Sequence, residues 1–230
     1  MKELLDTLIH DARVWQGNQQ QARPHLPAES TGFAALDRQL QDTGWPRGAL
    51  IECLMDNAGI GEFQLLLPLM RSQQAAARTV FLVNPPHTPY APALERLGVN
   101  LSQVVIIQTN NASDALWSLE NCLRSPVTGL VMAWPGVLKS RQIRRLQLAA
   151  EAGGSHCVLF RSSAAAANSS PAALRLQLTP EQDLTLAVKV LKRRGGWASQ
   201  DCRLPLPERA PVRPQANARV VQGPWPERNT

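Results

Sequence analysis

Ala49-Leu-Ile-Glu-Cys-Leu-Met55, Asp56-Asn-Ala-Gly-Ile-Gly-Glu62 and Phe63-Gln-Leu-Leu-Leu67 follow one another as an apolar strand, a glycine-bearing loop and the apolar start of a helix. This is the shape of a phosphate-binding loop. A working loop reads G-x-x-x-x-G-K-[ST], its lysine reaching the terminal phosphates and its hydroxyl holding Mg²⁺. Gly61 stands at the second glycine, but Asp56 replaces the first, Glu62 the lysine and Phe63 the hydroxyl residue. A carboxylate where a triphosphate needs a cation is repulsive. The stretch therefore predicts the architecture built around such loops without hydrolysis of a nucleoside triphosphate by the usual route. It leaves a bare backbone nest at Gly59-Ile-Gly61 as a weak anion site.

On either side of this loop, apolar strands alternate with helical patterns. Helices are expected near 61–77, 90–97, 112–123 and 140–152, and strands at 49–55, 79–83, 103–108, 129–133 and 156–160. Strands separated by ten or more helical residues are βαβ units, which build a mostly parallel sheet flanked by helices. The pattern then changes to strands without helices at 173–178, 184–191 and 201–206, turning at Glu181-Gln-Asp183. These read together as a C-terminal antiparallel extension.

The 230 residues suffice for one such domain with tails. Cys53, Cys122, Cys157 and Cys202 are widely spaced, without C-x-x-C pairs, and read as reduced core residues. Met1-Lys-Glu-Leu-Leu-Asp6 lacks the apolar run of a signal peptide, and no stretch reaches the ~20 apolar residues of a membrane span. A cytoplasmic protein is expected. From Lys189 onward, nine basic residues face three acidic ones, which accounts for the whole net charge of +6. That end favours an acidic partner or nucleic acid, or its arginines simply keep a tail soluble.

Ser30-Thr-Gly-Phe-Ala-Ala-Leu-Asp37, then Gly44-Trp-Pro-Arg-Gly48 and the first strand, resemble the opening of RecA-type recombinase cores. Leu97-Gly-Val-Asn100 with Val104–Gln108, and Val188-Lys-Val-Leu-Lys-Arg-Arg194 with the strand into Leu204, resemble later parts of the same core. Within that group the chain is most similar to the ImuA family, on Arg13-Val-Trp-Gln-Gly17 and Lys192-Arg-Arg-Gly-Gly196. Similarity to SulA-type division inhibitors is confined to Leu65–Arg71 and Pro85-Pro-His87. The resemblance implies an α/β RecA-like core over residues 30–206 with a degenerate phosphate loop (Asp56, Gly59, Gly61, Glu62 and Phe63). Residues 1–29 form an amphipathic helix and linker before it, and residues 207–230 a Pro- and Arg-rich disordered tail.

The same resemblance implies a non-catalytic adaptor of SOS-induced mutagenic translesion synthesis, cytoplasmic and nucleoid-associated when active. Its partners would be ImuB, a Y-family polymerase-like protein, together with RecA and an error-prone DnaE-type polymerase. A weak DNA contact through the basic end, no cofactor and no metal complete that expectation. The SulA-like alternative is an inhibitor that binds FtsZ. Against the recombinase pattern Asp-Ala-Glu-His, Asn84-Pro-Pro-His87 places Pro86 at the general base. The strand that should end in a metal-supporting aspartate ends Val131-Met-Ala-Trp134-Pro135. The first mobile DNA loop has no room between Trp134 and Lys139, and the second, Arg161–Ser170, is short, nearly uncharged and reads as a flexible solvated connector.

Partner or DNA contacts are assigned to Leu5, Ile9 and Trp15 on the first helix and to Lys192, Arg193 and Arg194. That helix, residues 2–16, is too small to fold alone and packs on its own core or on a partner. His87 reads as a turn residue, because no nucleophile or metal set accompanies it. Trp134 reads as a core or lid residue, and Arg141, Arg144 and Arg145 as a solvated helix face or a basic contact.

Overall fold

The computed structural model describes residues 28–41, 44–193 and 201–206. The helix expected over residues 2–16, with Leu5, Ile9 and Trp15, the tail expected over 207–230 and Arg194 lie outside the described residues.

An eight-stranded sheet organises the rest. Its strands are β3 (Ala49–Leu54), β4 (Thr79–Val83), β5 (Val104–Ile107), β6 (Thr128–Ala133), β7 (His156–Arg161), β8 (Leu174–Pro180), β9 (Thr185–Arg193) and β10 (Cys202–Pro205). They lie in the order β10-β9-β8-β3-β7-β6-β4-β5, and the six from β8 to β5 are parallel. A two-stranded ribbon of β1 (Ala28–Glu29) and β2 (Trp45–Pro46) precedes it.

The helices are α1 (Ala34–Gln39), α2 (Glu62–Ala75), α3 (Ala91–Arg96), α4 (Ala112–Arg124) and α5 (Ser140–Gly153). α2 covers one face of the sheet, burying Leu65, Leu66, Leu69 and Met70 with Ile51, Cys53, Leu82, Met132 and Val158. On the other face α4 and α5 bury Leu119, Leu123, Ile143 and Leu146 with Leu50, Val131, Cys157 and Leu159. Alternate residues of each strand thus serve opposite cores, which is why central strands such as Ala49–Leu54 are continuously buried. The four cysteines are free and buried, as expected, and burial pushes the Cys53 and Cys157 thiols upward.

The expected C-terminal antiparallel extension is present, with β8 antiparallel to β9 and β9 antiparallel to β10. On its other side β8 joins the parallel part of the sheet, running parallel to β3 with Ile51 opposite Leu174 and Leu54 opposite Gln177. Parallel neighbours need a crossover. Here a loop with a short 3₁₀ turn, Ser163–Ala167, replaces the helix in that role.

The chain's opening is tied down by two carboxylates. Asp37 accepts from Ser30 Oγ at 2.6 Å and from Thr31 N at 2.8 Å, closing Ser30–Asp37 into a loop. Gly32, at φ +82°, lies against Pro68 of α2, where a Cβ would come within 2.6 Å of the ring. Glu29 accepts from Ser72 Oγ at 2.9 Å and from Gln73 Nε2 at 2.7 Å, and meets buried His156 Nε2 at 3.3 Å. The His156 hydrogen bond, helped by Ser72 and Gln73 and opposed by burial, lowers the Glu29 carboxyl to about 2.

Candidate functional site: the loop after the first core strand

The chain leaves β3 for β4, three places away, and later fills the gap with β6 and β7. In open parallel sheets such a reversal opens a crevice at the carboxyl ends of the strands. Three loops meet there: 55–61 after β3, 134–139 after β6 and 162–173 after β7.

The nest expected to be bare is filled from within, which corrects that reading. Glu62, first residue of α2, turns its carboxylate back into the loop. Oε1 accepts from Gly59 N at 2.8 Å and Oε2 from Gly61 N at 3.2 Å. The residue is 3% exposed. Both oxygens therefore meet the kind of backbone donors that a phosphate would meet, at the positive end of a helix dipole. Gly61 adopts φ +115°, and a Cβ there would come within 2.2 Å of Leu206 Cδ1, so the end of the β10 segment closes over the loop. Asp56, at the position of the missing first glycine, hydrogen-bonds Ser163 Oγ across the crevice.

Beside the filled nest, three aromatic rings occupy the space after the strands. Trp134 stacks on Phe63 at 5.9 Å between centroids and on Phe160 at 4.6 Å, with interplanar angles of 21° and 19°. Phe63 stands where the loop motif has its metal-binding hydroxyl, and Trp134 follows the strand that was expected to end in an aspartate. The sequence reading of Trp134 as a core or lid residue agrees with this packing. Among the described residues, no group of three or more His, Cys, Asp or Glu side chains is placed to hold a metal ion. Pro86 and His87 are both exposed in the loop after β4.

Behind the loop, Glu52 is 0% exposed in the middle of β3. Its carboxylate binds Arg161 Nη1 on one oxygen and Arg175 Nε at 2.7 Å on the other. Arg175 also donates to the carbonyls of Asn168 at 2.9 Å and Ala165 at 2.7 Å, and Arg161 to that of Leu138 at 3.2 Å. Lys192 Nζ donates to Ser170 O at 2.6 Å. The Ser162–Ser170 segment is thus anchored by two cations, Arg175 and Lys192, which corrects its reading as flexible, although most of its residues are solvent-exposed as expected. Small residues there are not a sign of slack. They let buried guanidinium groups reach the backbone.

The assigned contact residues do not come together among the described residues. Lys192 is directed to Ser170, and Arg193 is half-buried at the end of β9. Arg145 of the candidate basic face pairs with Glu120 of α4 at 2.7 Å, while Arg141 and Arg144 are exposed. Sequence reasoning missed Glu52, Arg161 and Arg175. A lone carboxylate inside Ala49-Leu-Ile-Glu-Cys-Leu54 was the signal, because a buried charge demands partners.

No protein-family model matches the chain. Among curated proteins it is similar to Protein RecA of Marinobacter nauticus, 28% identical over 112 residues, which are 49% of this chain and 32% of that protein. To Protein RecA of Rickettsia massiliae it is 30% identical over 105 residues, 45% of this chain and 30% of that protein. To Protein RecA of Streptomyces avermitilis it is 29% identical over 138 residues, 58% of this chain and 35% of that protein. The chain spans about a third of the length of the curated relatives it matches. With the sheet order described above, these similarities support a RecA-like relationship, and the fold is an α/β RecA-like core.

Proposed function

We propose that this chain is a non-catalytic RecA-like adaptor in DNA repair, and specifically an ImuA-type accessory protein of SOS-induced mutagenic translesion synthesis. The observation that carries the reading is the Glu62 carboxylate seated on Gly59 N and Gly61 N. A triphosphate entering that loop would have to displace a tethered anion and leave a nearly buried carboxylate beside its own charge. The Phe63–Trp134–Phe160 stack supplies dispersion contacts and apolar burial, but no ligand for Mg²⁺ and no base.

Function then rests on shape and surface. Among the described residues β5 pairs only with β4, and its exposed side includes Val105 and Ile106, 40% and 43% accessible. An apolar strand edge of this kind is a ready docking element for another chain. Under this reading the partners are ImuB, RecA and a DnaE-type polymerase, with nucleic acid as a weaker contact of the basic end.

The test has two parts. Calorimetry at millimolar ATP is expected to give no heat of binding, and turnover of ATP by the purified chain would overturn the non-catalytic reading. Pull-downs at matched salt against ImuB, RecA, FtsZ and single-stranded DNA are expected to retain ImuB or RecA. Binding to FtsZ alone would replace the repair adaptor with the division-inhibitor alternative.

A further inference from the structure

A second polar crevice lies beside the filled loop, between the 134–139 segment, the start of α5 and the anchored Ser162–Ser170 segment. Its cavity, about 220 Å³, is lined by Arg161, Arg175, Lys139, Ser140, Asn168 and Ser169, together with apolar side chains. No carboxylate is among these lining residues. A water takes up roughly 30 Å³ of liquid, so the space fits a small polyatomic anion with solvent.

The charges there do not balance. Glu52 is one carboxylate shared by two guanidinium groups whose side chains are only 10% and 7% exposed. A positive charge withdrawn from water is costly unless something compensates it. Each guanidinium has five N–H donors. Arg161 uses two of them, on Glu52 and Leu138 O, and Arg175 uses three, on Glu52, Asn168 O and Ala165 O. Arg161 Nε is buried without a partner among the described residues. Lys139 stands at the rim, where α5 begins with its dipole's positive end, and two serines line the crevice.

We propose that this crevice is an oxyanion site for a phosphate monoester or free phosphate, held by the Arg161–Arg175 pair with Lys139 at its mouth. Forked guanidinium donors match the oxygens of a phosphate, and a dianion neutralises the one positive charge that Glu52 leaves together with that of Lys139. The site is separate from the Glu62 nest, and the proposal stands whether or not the adaptor reading does.

The test uses the full chain. Inorganic phosphate is titrated at ionic strength matched with chloride, and followed by ³¹P line width and by the shift in melting temperature. Arg161 and Arg175 also hold Glu52, so the informative variants are Lys139→Gln and Ser169→Asp, whose folding is checked by circular dichroism. Saturable binding, weakened roughly tenfold by either variant, is expected. No saturation by tens of millimolar phosphate overturns the proposal, and so does binding that neither variant changes.

Competition by oligonucleotides separates the sources of the anion. Displacement of phosphate by a 5′-phosphorylated oligonucleotide, but not by its 5′-hydroxyl counterpart, supports the site and identifies a nucleic-acid end. Displacement by neither supports a small phosphate compound. Equal displacement by both overturns the assignment, because the crevice would then respond to backbone diesters.

Discussion

Replacing Glu62 with Ala removes the internal anion and leaves the loop otherwise intact. Two backbone N–H groups, of Gly59 and Gly61, lose acceptors at 2.8 and 3.2 Å, and the first turn of α2 loses a favourable charge. An unsatisfied donor costs about 1–3 kcal/mol when it stays buried, and a charge at a helix start contributes about 0.3–1 kcal/mol. The longer bond counts for less, and removal also relieves the desolvation of a carboxylate that is only 3% exposed. The expected net loss is about 2–3 kcal/mol, or roughly 4–12 °C in melting temperature for a chain of this size. Glu62→Gln keeps one oxygen acceptor without the charge and is expected to lose about half as much. Urea denaturation of the three proteins measures the loss, and ¹⁵N spectra report the Gly59 and Gly61 amides directly. A stability change below about 0.5 kcal/mol for the Ala variant, or unmoved glycine amides, refutes the reasoning, since ordinary surface substitutions fall in that range.

Three further outcomes follow from other contacts. Glu29, lowered to about 2 from an ordinary 4.5, stabilises the fold fully above about pH 4.5, and that stabilisation is lost as pH falls toward 2. Its worth is about 1–3 kcal/mol after allowance for partial exposure, so Glu29→Gln is expected to flatten the pH dependence of unfolding, and parallel curves contradict the assignment. Glu52→Ala leaves two guanidinium groups without their shared carboxylate and is expected to cost about 3–5 kcal/mol. It also frees the alanine-rich 163–167 turn for elastase, and an equally resistant turn contradicts the anchoring role. Trp134→Ala, which breaks both ring contacts of a half-buried stack, is expected to cost about 2–4 kcal/mol in thermal or urea unfolding, and a loss under 1 kcal/mol indicates that the rings do not support the loop.

The positions of the βαβ units were legible because each strand is a short apolar run and each helix a longer periodic one. That β8 also runs parallel to β3 was not legible, because periodicity says nothing of strand direction and the usual signal of a parallel neighbour, an intervening helix, is missing before Leu174. Each residue of the unusual loop was also readable singly: Glu62 for a lysine, Phe63 for a hydroxyl, Trp134 after a strand. Their conjunction was not. Phe63, Trp134 and Phe160 meet because β3, β7 and β6 are adjacent in the sheet, an order set by the whole fold. Whether Glu62 points outward or back into the loop depends on the backbone at Gly61, where φ is +115°. A one-dimensional reading sees the charge reversal and infers repulsion. The folded loop turns the same charge into a ligand.

A phosphate loop that exchanges its anion works as a gauge, since its occupancy rises and falls with the supply of nucleotide. The Glu62 carboxylate is delivered by the chain itself, at the high effective concentration of any short intramolecular link. A free competitor would need to beat that tether merely to enter. Under the proposed non-catalytic reading, the loop's conformation would be uncoupled from the energy state of the surrounding cell, and the surfaces resting on it, from Leu206 to the 162–170 segment, would keep one form at high and low nucleotide alike. Any timing of the proposed assembly would then belong to how much of the chain is made and how long it lasts.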